Sequence, residues 1–242
     1  MIDKPFLIES GSFQNGWLEA VRQLSLSKWE LYNLVVHISS PDEFDTALHN
    51  KIEEFAKTQK TLGPKHIAYT IFPHKLYKNR SYSELFDVYN KPRGFYDRVK
   101  TLWGTYFRRM THYERAEKVE NQLMNIIEAI KKRREVRKAA YTVLIQQPGK
   151  ETVRAIGAPC LNYIAIQAKR SQQSGKPIIG ILAVYRNHDF LKKAYGNYWG
   201  LCNLVKFLSN EVDGELGPLT CISSHAYVSE KKMALKALME EF

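Results

Sequence analysis

The sequence predicts one mixed α/β domain, and three observations carry that reading. The 242 residues are 44% apolar and 12% aromatic, enough for a well-buried core in a single unit. Runs with helical period and runs with strand character interleave without a strict strand-helix-strand repeat. Neither GxGxxG nor GxxxxGK[ST] occurs, so the phosphate loops of the doubly wound and P-loop folds are excluded.

Residues 14–23 and 42–57 read as helices, the second with Phe44, Leu48, Ile52 and Phe55 on one stripe. Leu31 to Ile38 and His66 to Phe72 read as strands. Residues 75–112 are aromatic and polar without a clean period, a composition suited to loops and short helices covering a site. Ala116, Val119, Leu123, Ile126, Ile127 and Ile130 recur at spacings of three and four, which predicts a helix.

The second half is more regular. Ala139 to Ile145, Leu161 to Ala168 and Ile178 to Tyr185 read as central strands. The turn-rich Gln172–Pro177 makes the last two a hairpin. Phe190 to Val212 places Leu201, Leu204, Val205, Leu208 and Val212 at helical spacing, so a buried helix packed on a sheet follows. Leu219 to Val228 resumes a strand, and Ser229 is positioned to cap a last amphipathic helix through Leu235 and Met239.

No apolar run approaches the roughly 18 residues of a membrane span, and the N-terminus lacks a signal-peptide pattern, so a cytoplasmic protein is expected. Cys160, Cys202 and Cys221 form no CxxC, which argues against a disulfide framework or a zinc site. The net charge of +11 implies an anionic partner, a small-molecule phosphate or nucleic acid. Six cations crowd Lys131–Lys138; a solvated helix end explains most of them, and phosphate binding is the alternative.

Candidate chemistry gathers in the C-terminal half. Cys160 follows Pro159 at the mouth of a strand, where a side chain can face a cavity, although a lone cysteine is more often packing. Cys202 and Cys221 read as small core residues. Arg186 emerges from an apolar strand and needs an anion, either the nearby Asp189 or a phosphate; beside Cys160 it would lower the thiol pKa. Asn197 is either a helix-start polar group or an amide that offers donor and acceptor together, the pattern uracil requires. His225 and Tyr227, two apart on a strand, share a face.

These residues resemble the thymidylate synthases and their pyrimidine-nucleotide hydroxymethylase relatives, the short archaeal-type branch most of all. The likeness rests on Ala158-Pro159-Cys160, Arg186-Asn187-His188-Asp189, Ala194 to Leu201, Glu211 to Gly217 and Ser223-Ser224-His225-Ala226-Tyr227, and it extends over about residues 133–228. It implies a thymidylate-synthase-like sandwich in which a large bent mixed sheet is covered by helices, with two such sheets back to back in a homodimer. It also implies that Cys160 adds as thiolate to C6 of dUMP and that a 5,10-methylenetetrahydrofolate or related reduced pterin donates the carbon to C5.

By the same resemblance Arg186 binds the 5′-phosphate and polarises the thiol, and Arg137, followed by Lys138, reaches that phosphate from the partner subunit. Asp189 contacts the pterin, Asn187 and Asn197 the nucleotide, and His225 with Tyr227 the sugar. Arg22 or Lys28 would supply a further phosphate cation and Glu53 or Glu54 a water-organising acid. The chain departs from the family's pattern at Leu161, Tyr185, Asn187, Lys138 and Ser223-Ser224. Three functions are therefore in view: a dUMP methyltransferase, a (d)UMP or (d)CMP hydroxymethylase in which water replaces hydride, and a non-catalytic nucleotide or nucleic-acid binder.

Overall fold

The β-rich runs of both halves converge on one mixed sheet. The computed structural model describes residues 4–115, 118–132, 141–147, 149, 151 and 157–242. In chain order the elements are β1 (Phe6–Ser10), α1 (Phe13–Leu26), β2 (Glu30–Ile38), α2 (Thr46–Thr58), α3 (Pro64–Ile71), α4 (His74–Tyr77), α5 (Tyr82–Asn90), α6 (Phe95–Val99) and α7 (Tyr106–Thr111). They continue with β3 (Tyr113–Arg115), β4 (Lys118–Glu120), α8 (Gln122–Lys131), β5 (Tyr141–Leu144), β6 (Leu161–Arg170), β7 (Pro177–Tyr185), β8 (His188–Asp189), α9 (Ala194–Glu211), β9 (Glu215–Tyr227) and α10 (Lys232–Met239).

Seven strands form the main sheet in the order β1-β2-β9-β7-β6-β5, with β8 added against β9, while β3 and β4 pair separately. β1 runs parallel to β2, and β7 and β8 run parallel to β9. The remaining ladders are antiparallel, including the expected β6–β7 hairpin. Among the described residues no helix is long and apolar enough to cross a membrane.

Strand alternation gives the sheet two different faces. Leu34, Val36, Leu219, Cys221, Ile181, Ala183, Ile164 and Val143 are buried in the core, which α9 and α1 share. On the other face the ladder registers align Leu7, Val35, Ile222, Val184, Tyr163 and Leu144 in one row across six strands. Leu7 is 58% and Leu144 37% exposed, and the four between them are half-buried.

Three elements differ from expectation. His66–Phe72 lies almost wholly in a helix: Pro64 starts α3 after Gly63, and buried Ile67, Ala68 and Ile71 follow helical rather than alternating spacing. This helix docks on α9 where side chains are missing. A Cβ on Gly196 would stand 2.6 Å from the Ile67 Cβ, and one on Gly200 2.8 Å from the Ala68 carbonyl oxygen. The helix expected over 116–130 begins only at Gln122, capped by Asn121, and Val119 sits in β4. Ser229 does not cap α10; Lys231 holds that position with φ of 56°.

The stretch 75–112 folds as α4 to α7 with connecting loops, and its Phe86 and Tyr89 pack with Phe72 around Phe107 in edge and tilted contacts. Lys131 and Lys132 behave as the solvated end of α8, pairing with Glu211 at 3.6 Å and Glu128 at 3.3 Å. The rest of that basic run, Arg137 and Lys138 included, lies outside the described residues.

Candidate active site

The ends of β6, β7 and β9 bring the candidate residues to one corner of the sheet. The Arg186 amide donates to the Cys160 carbonyl at 2.9 Å, extending the β6–β7 ladder just past Leu161 and Tyr185. The register slips between Leu161 and Tyr163, a local irregularity of the kind that re-aims neighbouring side chains. β8 then pairs His188 with Ala226 and Asp189 with Tyr227, which lays Asn187–Asp189 beside His225–Tyr227.

A cavity of about 230 Å³ opens there. Cys160, Asn187, Asp189, Asn197 and Tyr227 line it from the sheet end and α9, together with Lys193. Thr70 from α3, Trp103 from the loop before α7 and Tyr106 from α7 supply the helical cover. The irregular aromatic stretch thus contributes part of the wall of this cavity.

Arg186 is not among the lining residues. Its charge bears on the Cys160 thiol, while its Nε is buried with no partner among the described residues. Among the described residues Arg186 forms no ion pair with Asp189. That carboxylate is turned to its own loop, where Oδ1 accepts from the Leu191 amide at 3.0 Å and the Lys192 amide at 3.2 Å. A buried donor left without a partner costs free energy that a hydrogen-bond acceptor would recover.

The expected lowering of the Cys160 pKa is only half met. Burial dominates and pushes the thiol above its ordinary value, while Arg186, then Lys193, pull it back. Lys193 is itself lowered by burial, with Asp189 and Cys160 acting in the opposite direction. Burial also raises Tyr227.

Asn197 is the fourth residue of α9 rather than its cap, and it is buried. Its Nδ2 lies 3.1 Å from His188 Nε2, and His188 Nδ1 lies 2.9 Å from Ser223 Oγ. Full burial drops the His188 pKa to about 3, so the imidazole is neutral. His225 and Tyr227 do share a face, with ring planes 9° apart and centroids at 5.1 Å. Both ring nitrogens of His225 are engaged, Nδ1 with Asn187 Oδ1 at 2.8 Å and Nε2 with Glu30 Oε1 at 2.6 Å, and the ring stands outside the cavity lining.

The four alternatives for N-terminal roles are elsewhere. Arg22 faces Glu19 at 3.7 Å, and Lys28 occupies a left-handed turn. Glu53 lies 3.7 Å from His49 and accepts from the Lys65 amide at 3.4 Å; neither it nor Glu54 lines the cavity. Cys202 and Cys221 are core residues. Among the described residues no group of three His, Cys, Asp or Glu side chains could hold a metal.

Sequence reasoning passed over Lys193, His188, Trp103 and Tyr106. Lys193 stands four before Asn197, a spacing that sets both on one side of a helical turn and could have flagged it. Trp103 and Tyr106, with centroids 4.6 Å apart, fell in the stretch without period. No protein-family model matches this chain, and no curated protein matches it.

Proposed function

We propose that this chain is a pyrimidine-nucleotide C5 transferase that methylates dUMP. The observation that carries the reading is Cys160: tied through its carbonyl to the backbone of Arg186, whose guanidinium keeps a spare buried donor, it faces a cavity whose other walls hold Asn197, Asp189, Asn187 and Tyr227. A phosphate at Arg186 and a base against Asn197 would set the ring across the thiol. The family resemblance of the same residues points to the same chemistry.

In the proposed reaction the Cys160 thiolate adds to C6 and the displaced electron pair moves toward C5 and O4. The Asn197 amide donor then stabilises charge growing on O4. C5 gains a carbon and loses its proton, and elimination returns the thiolate to Cys160. A bound reduced folate or pterin supplies the one-carbon unit and, for a methyl product, the hydride. The cavity suits a flat polar ring: Trp103 and Tyr106 offer an aromatic wall, and Asp189 Oδ2 is not used by the loop amides that hold Oδ1.

The test is release of tritium from C5-labelled dUMP in the presence of methylenetetrahydrofolate, followed by mass spectrometry of the product. Release with a methyl product is expected. A hydroxymethyl product would assign the chain to the hydroxymethylases, and binding without release would leave only a nucleotide-binding protein.

The proposed assembly is a homodimer joined through the open sheet face, with Arg137 crossing to the partner's phosphate site. The six-residue apolar row supports it, since contiguous exposed apolar surface usually marks an association site. Val184→Lys, on a central strand, is expected to convert a dimer into a monomer at micromolar concentration in light scattering coupled to gel filtration. A chain that is monomeric before substitution would refute the assembly.

A further inference from the structure

Asn197 can present its amide in two ways, and they read opposite bases. Uracil offers an acceptor at O4 and a donor at N3, whereas cytosine offers a donor at N4 and an acceptor at N3. An amide turned by 180° exchanges its oxygen and nitrogen, so the orientation that fits one base mismatches the other. What fixes the orientation therefore fixes the base.

The fixing contacts come from His188, which borders the same cavity. Asn197 Nδ2 can only donate, so at 3.1 Å from His188 Nε2 it requires that nitrogen to accept. A neutral ring accepting at Nε2 carries its proton on Nδ1, and that proton points at Ser223 Oγ 2.9 Å away. The ring cannot tilt freely, because it lies parallel to Tyr185 at 4° and 4.0 Å and meets Tyr198 edge-on at 5.7 Å. With one N–H committed to His188, Asn197 retains its second N–H and Oδ1 for the cavity it lines.

We propose that His188 and Ser223 form a positioning relay that holds Asn197 in its uracil-reading orientation and so sets selectivity for uracil over cytosine nucleotides. The inference rests on the reading that this cavity takes a pyrimidine nucleotide. Ser223 acts as the acceptor that keeps the proton on Nδ1. Without it, the ring gains a satisfied donor by moving the proton to Nε2, and Asn197 must then turn its oxygen to meet it.

Titration calorimetry of dUMP and dCMP, with ¹⁵N spectra of the imidazole nitrogens, tests the relay. Wild type should favour dUMP and show His188 protonated at Nδ1. Ser223→Ala should cut the dUMP-to-dCMP affinity ratio at least tenfold, about 1.4 kcal/mol, and move the His188 proton to Nε2. Ser223→Thr, which keeps the hydroxyl oxygen, should retain both the ratio and the tautomer.

Wild type that favours dUMP while Ser223→Ala keeps the ratio, or a wild-type His188 protonated at Nε2, overturns the relay alone. Wild type that binds neither nucleotide overturns the reading of the cavity and the relay with it. His188→Phe, which preserves the stacking against Tyr185, provides a second route to the same loss of discrimination.

Discussion

Cys160→Ala is expected to abolish tritium release from C5-labelled dUMP, by at least about a thousandfold, the scale on which a removed nucleophile registers in other enzymes. No other thiol can substitute, since Cys202 and Cys221 are sealed in the core with pKa values driven far up by burial. The dUMP affinity should fall far less than the turnover, because Arg186, Asn197 and Tyr227 remain. A variant that still released label at the wild-type rate would refute the thiolate mechanism.

The same thiol gives a test that needs no substrate. Burial holds Cys160 above the ordinary thiol value, so the thiolate fraction is small at neutral pH and grows as pH rises through that elevated pKa. Alkylation by iodoacetamide should therefore accelerate into the alkaline range, with a midpoint above that of a free thiol. Lys193→Met removes a cation that lowers the Cys160 pKa, and the midpoint should move higher still. A midpoint unchanged by Lys193→Met would mean that the lysine does not act on the sulfur.

How much of this was legible in the sequence depends on where the signal lay. The strands of the sheet announced themselves because β-branched, apolar runs bounded by turn residues have few other uses: 31–38, 161–168 and 178–185 fall within strands, and 219–228 does so up to Tyr227. The misreading of His66–Phe72 has a tertiary cause. Its side chains are strand-like, and the helix is stabilised by the absence of side chains at Gly196 and Gly200, over a hundred residues away.

The site divides in the same way. Cys160, Asp189, Asn197 and Tyr227, singled out from their local settings, and Asn187, named through the family resemblance, line one cavity. The two charge relations that tune it were not legible. Arg186 was expected to lower the thiol outright, yet the outcome is a balance between cation and burial, and burial is a property of the folded surroundings. Lys193 was lost among many cations because its role follows from standing beside Asp189 and Cys160 at the cavity, which composition does not disclose.

Arg109→Ala is expected to be the most destabilising of the substitutions considered, at about 3–5 kcal/mol, or a fall of roughly 10 °C in melting temperature for a chain of this size. Arg109 and Glu151 form a bidentate pair at 2.9 and 2.6 Å, with side chains only 12% and 6% exposed. The guanidinium also donates to the carbonyls of Trp103 and Ile145 at 3.0 Å each, and Glu151 accepts from the Gln147 amide. Removing the cation takes two charge-assisted hydrogen bonds from a buried carboxylate and frees three segments at once. Part of the penalty is the cost of keeping a carboxylate buried with fewer donors, so Arg109→Met with Glu151→Leu should recover part of the lost stability, read by thermal denaturation as a coupling between the two sites. Recovery should not extend to nucleotide affinity. Trp103 stands in the cavity wall and packs under the guanidinium with 5.5 Å between them, so the double variant is expected to bind dUMP more weakly than wild type even where its melting temperature is restored. Equal stability of the single and double variants would show that the cost lies in the lost carbonyl contacts instead.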